Sequence, residues 1–215
     1  MQVLRPITTE DFAALKQIAI ESGHGFTSLP VDDEQLKEKI DRAEKSFAKN
    51  INQPLDESYL FVLEDSETGE VIGTTAIEAA VGLSVPLYHY HLGKTVHHSP
   101  TLNVYNTVDI LSMCNDYTGC SEICTLFLRE NSRKGLTGRF LSRSRFLFMA
   151  QHSERFADTV IAEMRGVSDE DGHSPFWQWL QEHFFSIEFP QADHLVGLGD
   201  KVFISELMPK YPIYV

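Results

Sequence analysis

The residues best suited to chemistry in this chain form a basic, glycine-containing segment between Arg129 and Arg145. Six of the chain's 18 lysine and arginine residues lie there, against the single acid Glu130. The segment also contains Gly135 and Gly138, and glycine lets an anion approach the backbone closely. At the start of a helix such a segment suits a phosphate, because the first turn presents unpaired N–H groups and a positive dipole end. The alternative is a basic, solvated helix start that holds no ligand.

The elements on either side of this segment are a buried strand and an amphipathic helix. Residues 122–128 read EICTLFL, a composition that is typical of a buried strand. Residues 139–149 place apolar side chains at positions 140, 141, 147 and 148, which is the spacing of one helical face. The sequence therefore predicts a strand, a basic turn and a helix in direct succession.

Composition limits the class of protein. The 215 residues are 42% hydrophobic and carry a net charge of −13, which predicts a single domain over residues 1–215 and argues against a general nucleic-acid binder. No apolar run approaches the ~18 residues of a membrane helix and the N-terminus lacks a signal peptide core, so a cytoplasmic protein without a membrane partner is expected. Cys114, Cys120 and Cys124 show no Cys-x-x-Cys spacing, and neither a disulfide framework nor a structural zinc site is indicated.

The rest of the chain predicts both helices and strands, as in an α/β (α+β) protein. Strands 59–63 and 71–77 are joined by a polar, glycine-containing turn, which predicts an antiparallel hairpin. A hydrophobic run over 159–166 is expected to form the strand beside 122–128. The other predicted elements are strands at 2–6, 102–106 and 203–208, and helices at 12–21, 32–49 and 175–185.

Residues 82–113 are rich in aromatic residues and histidines, and two of these histidines could act together. His89 and His91 would lie on one side of any strand through this stretch, a spacing that could bind a metal. The sequence fixes no third ligand for them. Ordinary packing or substrate contact is therefore the preferred interpretation, and neither a metal nor a permanently bound cofactor is expected.

The order of elements resembles the Gcn5-related N-acyltransferase fold, a mixed, mostly antiparallel sheet flanked by helices. In that fold the turn after the central strand holds the pyrophosphate of a CoA thioester, with the pattern Arg or Gln, two residues, Gly, one residue, Gly or Ala. Arg133 and Gly138 fit its first and last positions, whereas Leu136 stands at the middle glycine position and the glycine falls at Gly135. The candidate CoA-binding residues of this loop are Arg133, Lys134, Gly135, Gly138 and Arg139.

A closer resemblance, over nearly the whole chain, is to the arginine N-succinyltransferase family. The blocks that carry it are FTSLP at 26–30, FVLED at 61–65, AAVG at 79–82, SEICTLFL at 121–128, LSRSRF at 141–146, AEMRG at 162–166, SPFW at 174–177 and ELMP at 206–209. The resemblance implies transfer of the succinyl group of succinyl-CoA to the α-amine of L-arginine, in arginine catabolism. It also implies that Leu126 contacts succinyl-CoA, and a homo- or hetero-oligomer is expected.

The family's proton-donor histidine has no counterpart in this chain. It lies in a Val-His-Pro stretch beyond the position that matches Val215, so the chain is expected to correspond to the larger, N-terminal part of the family chain. The alternative function is a catalytically silent CoA-binding subunit or fragment that acts through association with another chain.

Acyl transfer to an amine also requires a base, because the ammonium group must first lose a proton. Glu122 on the central strand is the candidate base, with Glu163 on the predicted neighbouring strand as a second carboxylate, and burial would raise the pKa of both. The alternative for Glu122 is a bond to a backbone N–H or an arginine. Arg143 and Arg165 are candidates for the substrate carboxylates, with Glu163 as a further candidate substrate-binding residue. Cys124, inside an apolar strand, is expected to be inert.

Overall fold

The computed structural model describes residues 1–23, 26–164, 166–167, 169, 173–197 and 202–214. Its strands are β1 (Gln2–Pro6), β2 (Ser58–Asp65), β3 (Glu70–Glu78), β4 (His89–Ser99), β5 (Val104–Cys114), β6 (Ser121–Leu128), β7 (Val160–Ile161) and β8 (Ile213–Tyr214). Its helices are α1 (Phe12–Ser22), α2 (Asp33–Ala48), α3 (Thr137–Gln151), α4 (Pro175–His183), α5 (Phe189–Gly197) and α6 (Val202–Leu207). Across these described ranges, none of the helices has the length and apolar character needed to cross a bilayer.

The main sheet of the described residues has the strand order β1-β2-β3-β6-β7. Strands β1, β2, β3 and β6 are antiparallel neighbours, whereas β7 runs parallel to β6. The predicted hairpin is β2–β3, and Gly69 at φ 71° supplies the left-handed residue that its turn requires. The expected mixed, mostly antiparallel sheet is confirmed, and β6 lies between an antiparallel and a parallel partner.

Helices pack against both sets of alternating side chains of this sheet. On β2, Leu60 and Val62 belong to a buried cluster with residues of α1 and α2. The intervening Tyr59 and Phe61 contact the ring of Phe148 on α3, as expected when successive side chains of a strand point to opposite faces. Helix α3 is therefore held against the sheet, and the short loop after β6 places the start of α3 near the end of that strand.

A second sheet contains β4, β5 and β8. Strands β4 and β5 pair without interruption, from His89 opposite Cys114 to Ser99 opposite Val104. The sequence predicts only a short strand over 102–106 in this region. The observed strand starts at Val104 and continues to Cys114 because β4 pairs with it along its whole length, a tertiary effect that local composition does not reveal.

The predicted strand over 203–208 is wrong, since residues 202–207 form helix α6. Isoleucine and phenylalanine in this run favour a strand by composition. However, Phe203, Ile204 and Met208 line an apolar pocket together with Trp177 of α4 and Phe189 of α5. Ile204 and Met208 are four residues apart, which is the spacing of one helical face, so packing in this pocket favours the helix.

Asp11 ties β1 to the start of α1. The guanidinium of Arg5 donates to both carboxylate oxygens of Asp11, at 2.7 and 2.8 Å, and the Thr8 N–H donates at 2.9 Å. Burial acts to raise the pKa of Asp11, but the hydrogen bonds from Arg5 and Thr8 outweigh it and hold the pKa below its usual value. The carboxylate of Asp11 is consequently more acidic in the folded chain than in the unfolded chain.

Asp11→Asn is expected to lower the free energy of unfolding at neutral pH by about 1.5 kcal/mol, the contribution of a charged hydrogen bond. The contribution of Asp11 is fully present above the unfolded pKa of about 3.9 and is lost as pH falls through the lower folded pKa. As the pH falls below about 4, the free energy of unfolding should therefore decrease less for the variant than for the wild type. Urea unfolding across this range measures both effects, with Asp41→Asn as the control because Asp41 forms an exposed pair with Lys45. If the free energy of unfolding of Asp11→Asn changed with pH in the same way as that of the wild type, the prediction would be wrong.

Candidate active site

Strand β6 contains a β-bulge at Thr125–Leu126. The register between β3 and β6 shifts by one residue between Thr74 and Ala76, so Thr75 lies opposite both residues of the bulge. Thr125 has φ 52°, a left-handed conformation that is uncommon for a β-branched residue. Leu126 is 43% exposed. A bulge interrupts the ladder and leaves its extra residue unpaired, so the backbone at this point can face a ligand.

The edge of β6 beside the bulge is open. Strand β7 pairs with β6 only at Ser121 and Glu122. The strand predicted over 159–166 is therefore much shorter than expected, and residues 162–164 continue as exposed chain. Over 123–128, the edge of β6 away from β3 has no strand partner within the described ranges. An extended ligand can pair with a free strand edge of this kind through backbone hydrogen bonds.

The basic loop leads directly into the first turn of α3. Gly135 has φ 57°, a left-handed conformation that favours glycine. This conformation explains why a glycine stands at position 135, one residue before the middle glycine of the family pattern. Helix α3 begins at Thr137, and the first bond of its ladder runs from the Phe140 N–H to the Leu136 carbonyl oxygen at 2.9 Å. The Thr137 N–H donates to the Lys134 carbonyl oxygen at 3.3 Å, whereas the N–H groups of Gly138 and Arg139 precede the first bond of the helical ladder and have no intrahelical acceptor. Together with the helix dipole they form an anion-binding end.

Apart from the buried Arg145, the basic side chains between Arg129 and Arg145 fall into two groups. Arg129 is already paired, with its Nη1 atom 2.7 Å from Glu70 and its Nε atom 3.3 Å from Glu21. The remaining loop cations are exposed and, within the described part of the chain, have no carboxylate at ion-pair distance; they are Arg133, Lys134, Arg139 and Arg143. In a chain of net charge −13, this group forms a local positive surface at the start of α3.

Arg133 is held at the end of β6. Its Nε atom donates to the Leu128 carbonyl oxygen at 2.8 Å, and its guanidinium lies 5.8 Å from the centre of the Phe127 ring. These contacts use one of its five donors and leave the others facing solvent. The charge of Arg133 is thus oriented for an anion at the loop.

Arg145 is a cation that sequence reasoning did not single out as a site residue. Only 4% of it is exposed, and its guanidinium donates to the backbone oxygen and Oγ atom of Ser142 at 3.1 Å each. Among the described residues, no carboxylate lies at ion-pair distance from it. Burial lowers the pKa of the guanidinium, while the negative charge of Cys124 in its thiolate form would oppose that shift. A buried charge without a counter-ion is costly, and an anion bound beside Arg145 would offset this cost.

The position of Arg145 along α3 directs it to the bulge. Leu141, one turn earlier, belongs to a cluster with Leu128. Phe148, one turn later, packs with Ile123 against a second cluster. Residues 123 and 128 flank the bulge on β6, so Arg145, between these two contacts on the same helical face, faces the middle of the strand. This helical spacing was the signal in the sequence that could have marked it.

The two candidate carboxylates differ in burial. Glu122 is half-buried on β6 at the point where β7 diverges, opposite Glu78 of β3. Glu163 is exposed, and the expectation that it is buried on a strand beside β6 is wrong because β7 ends at Ile161. Arg165 lies outside the described residues. Glu122 is therefore the carboxylate next to the open edge of β6.

Cys124 lies just before the bulge in an environment that disfavours its thiolate. Burial raises the pKa of the Cys124 thiol, and the carboxylates of Glu78 and Glu122 raise it further. Because the thiolate is the nucleophilic form of cysteine, this environment favours an inert thiol, as the sequence predicts.

Comparison with known proteins places this chain in a family. The model of the arginine N-succinyltransferase beta subunit matches residues 2–215. Arginine N-succinyltransferases of Enterobacter sp. (strain 638) and Citrobacter koseri are each 52% identical to the chain over 214 residues. These alignments cover 100% of this chain and 62% of each relative, so the chain spans less than two thirds of their length.

A solved structure shows the same fold. Subunit AI of the arginine/ornithine succinyltransferase from Pseudomonas aeruginosa superposes with a TM-score of 0.88 at 40% identity, covering 100% of this chain and 62% of that chain. The expected fold is confirmed by this match and by the observed sheet. On the match to the family model over residues 2–215, the chain belongs to the arginine N-succinyltransferase beta subunit family.

Proposed function

We propose that the chain transfers the succinyl group of succinyl-CoA to the α-amine of L-arginine, giving N2-succinyl-L-arginine and CoA. The observation that carries the proposal is the juxtaposition of a cationic helix start with the bulged, open edge of β6. The first suits the phosphates of CoA, and the second suits the extended thioester arm. The names of the family and of the relatives support the choice of acyl group and amine.

The CoA phosphates bind at the start of α3. Arg133, Lys134 and Arg139 supply charge, and the N–H groups at Gly135 and Gly138 supply directed donors. The thioester then extends along the open edge of β6 towards the bulge. A backbone N–H near Leu126 donates to the oxyanion of the tetrahedral intermediate, because a fixed donor at the site of developing charge stabilises the transition state.

Glu122 takes the proton of the ammonium group, directly or through water. The neutral amine attacks the thioester carbon and a C–N bond forms. As the tetrahedral intermediate collapses, the C–S bond breaks and the nitrogen loses its second proton to solvent, which leaves the amide. The CoA thiolate is then protonated by solvent or by a donor outside the described residues. Direct transfer is favoured over a cysteine intermediate because the environment of Cys124 disfavours its thiolate.

Two carboxylates of the substrates require cations. Arg145 suits the distal carboxylate of the succinyl group, because it is buried, faces the bulge and has no acidic partner among the described residues. Arg143 remains a candidate for the α-carboxylate of arginine at the exposed side of α3, as does Arg165. Glu163 remains a candidate for the guanidinium group. Assembly into a homo- or hetero-oligomer is part of the proposal, since the matched family model is described as a beta subunit.

The function is tested by thiol release from succinyl-CoA in the presence of the 215-residue chain and L-arginine. Acetyl-CoA, L-lysine and L-ornithine serve as controls for acyl and amine specificity. Release that depends on arginine supports the transferase. Tight binding of succinyl-CoA by calorimetry without release would instead favour a catalytically silent CoA-binding subunit that acts with another chain.

Replacing Arg133 and Lys134 together with alanine is expected to raise the Kd of both succinyl-CoA and CoA by at least about tenfold, since charged hydrogen bonds contribute about 1.5–3 kcal/mol each. Isothermal titration measures both constants. Lys94→Ala is the matched control, because Lys94 is an exposed lysine paired with Asp109 on the β4–β5 hairpin. An unchanged Kd for CoA in the double variant would remove the loop from the phosphate site.

A further inference from the structure

We propose that His89, Cys114 and Asp116 form a zinc site at the base of the β4–β5 hairpin. Their candidate ligand atoms, an imidazole nitrogen, a thiol sulfur and a carboxylate oxygen, all lie within 4.8 Å of one another. This site does not depend on the acyl transfer proposed above. It lies on the sheet that contains β4 and β5, and it uses none of the residues assigned to CoA, the succinyl group or arginine.

The backbone brings these ligands together. His89 opens β4 and Cys114 closes β5, and the two residues are direct cross-strand partners in the antiparallel ladder. Asp116 follows Cys114 by two residues, in the turn that leads to β6. A tetrahedral zinc ion with bonds of about 2.0–2.3 Å holds its ligand atoms roughly 3.3–3.8 Å apart, so a pair at the 4.8 Å limit needs to close by about 1.0–1.5 Å. Rotation of an exposed Asp116 side chain supplies a movement of this size.

The imidazole of His89 provides a second observation. Its Nδ1 atom is buried and has no hydrogen-bond partner among the described residues. The ring is also fixed, since it stacks on Tyr117 with the centroids 4.4 Å apart and the planes 22° from parallel. A neutral imidazole has one lone-pair nitrogen and one N–H, and coordination of a cation uses the lone pair. A positioned ring that has an unsatisfied nitrogen, and a nitrogen within 4.8 Å of a thiol sulfur and a carboxylate oxygen, suits a metal.

The mixture of ligands selects the ion. Nitrogen and thiolate sulfur favour zinc over magnesium or calcium, which prefer oxygen ligands. Three protein ligands leave a fourth position for water. The sequence pointed to His89 with His91 along one strand, but His91 is exposed and does not belong to the group. The partners of His89 instead come from across the ladder and from the following turn, which a sequence spacing cannot show.

Bound zinc would join the hairpin to the turn before β6. Asn115, within that turn, already donates its side-chain N–H to the Leu87 carbonyl oxygen, just before β4. A metal bridge between His89 and Asp116 adds a stronger link across the same junction. Because the ion binds the folded arrangement, it should raise the free energy of unfolding, with the logarithm of the ratio of its concentration to its Kd.

The test uses the tag-free 215-residue chain, freed of metal with a chelator and titrated with Zn²⁺ against a chromophoric competitor. The expected result is one zinc equivalent, and a Co²⁺-loaded sample should show thiolate-to-cobalt charge transfer. His89→Gln and Cys114→Ser should each weaken zinc binding by at least about 100-fold, given that even an outer-shell partner costs about 10–100-fold. His91→Gln and Cys120→Ser are the matched controls and should bind like the wild type.

Zinc should also raise the Tm of the wild type and of both control variants, but not of the ligand variants. The Tm of each variant without metal shows whether it is folded. Absence of stoichiometric binding in the wild type would overturn the proposal. So would binding that survives in folded His89→Gln and Cys114→Ser, because the ion would then lie elsewhere, for example at His97 and His98.

Discussion

Replacing Arg145 with methionine is expected to raise the Kd of succinyl-CoA by about 10- to 150-fold and to leave that of CoA nearly unchanged, the size expected for a lost charged hydrogen bond. The two ligands differ only by the succinyl group, so a cation that binds its carboxylate affects one and not the other. Arg145 is suited to this role because it is 4% exposed and lies on the face of α3 that meets the bulge. Methionine is unbranched and fills the space of the aliphatic part of the arginine side chain without its charge.

The control is Arg143→Met, since Arg143 lies on the same helix but is exposed. It should leave the Kd of succinyl-CoA close to that of the wild type. If Arg145→Met raised the Kd of succinyl-CoA and the Kd of CoA equally, Arg145 would only maintain the fold of α3. An effect confined to the KM of L-arginine would assign Arg145 to the amine substrate instead. Thermal unfolding of both variants separates these outcomes from simple loss of structure.

Desolvation makes the buried charge of Arg145 costly. Breaking or omitting the partner of a buried charge costs about 3–5 kcal/mol, so chains rarely keep an unpaired buried guanidinium without a use for it. The two bonds to Ser142 satisfy part of its donor capacity but bring no opposite charge. A bound carboxylate supplies that charge, and the low polarity of the surroundings strengthens the interaction.

Local sequence patterns predicted the elements whose neighbours are close in the chain. The hairpin of residues 58–78 follows from two apolar runs around a glycine turn, and Leu36, Ile40 and Ala43 form the buried face of α2 as their spacing indicates. The basic loop between β6 and α3 was also located from sequence, because charge, glycine and periodicity are all local features. These are the parts in which propensity and tertiary packing agree.

The features that the sequence did not predict depend on contacts between residues that are far apart in the chain. The bulge at Thr125–Leu126 arises from the pairing of β6 with β3, and the open edge of β6 arises because β7 is only two residues long. Neither leaves a mark in the composition of β6. Arg145 resembles its basic neighbours in the sequence, and only the packing of α3 distinguishes it from Arg143. The sequence thus located the basic loop of the candidate site. It did not locate the bulge, the open edge of β6 or the buried Arg145, which depend on tertiary packing.

Replacing Gly73 with alanine is expected to lower the free energy of unfolding by about 3 kcal/mol, the upper part of the range for overpacking. An added Cβ atom would lie 2.7 Å from the Phe127 carbonyl oxygen, 3.1 Å from Leu128 Cδ1 and 3.3 Å from Leu141 Cδ2. The leucine side chains can shift, but the carbonyl belongs to the backbone of β6. Relief of the clash therefore requires β6 to move away from β3 beside the bulge, and turnover should fall together with stability.

Gly138→Ala is the matched control, because its added Cβ atom meets nothing within 4 Å and the residue lies in the first turn of α3. Alanine is favoured over glycine within a helix by roughly 0.5–1 kcal/mol, so this variant should be as stable as the wild type or slightly more stable. Thermal unfolding should show a Tm roughly 6–12 °C lower for Gly73→Ala, at about 2–4 °C per kcal/mol for a chain of this size. A Tm for Gly73→Ala equal to that of Gly138→Ala would show that β3 and β6 can separate without cost. The bulge would then be a pliable feature of β6, and a rigid oxyanion donor at Leu126 would lose its structural basis.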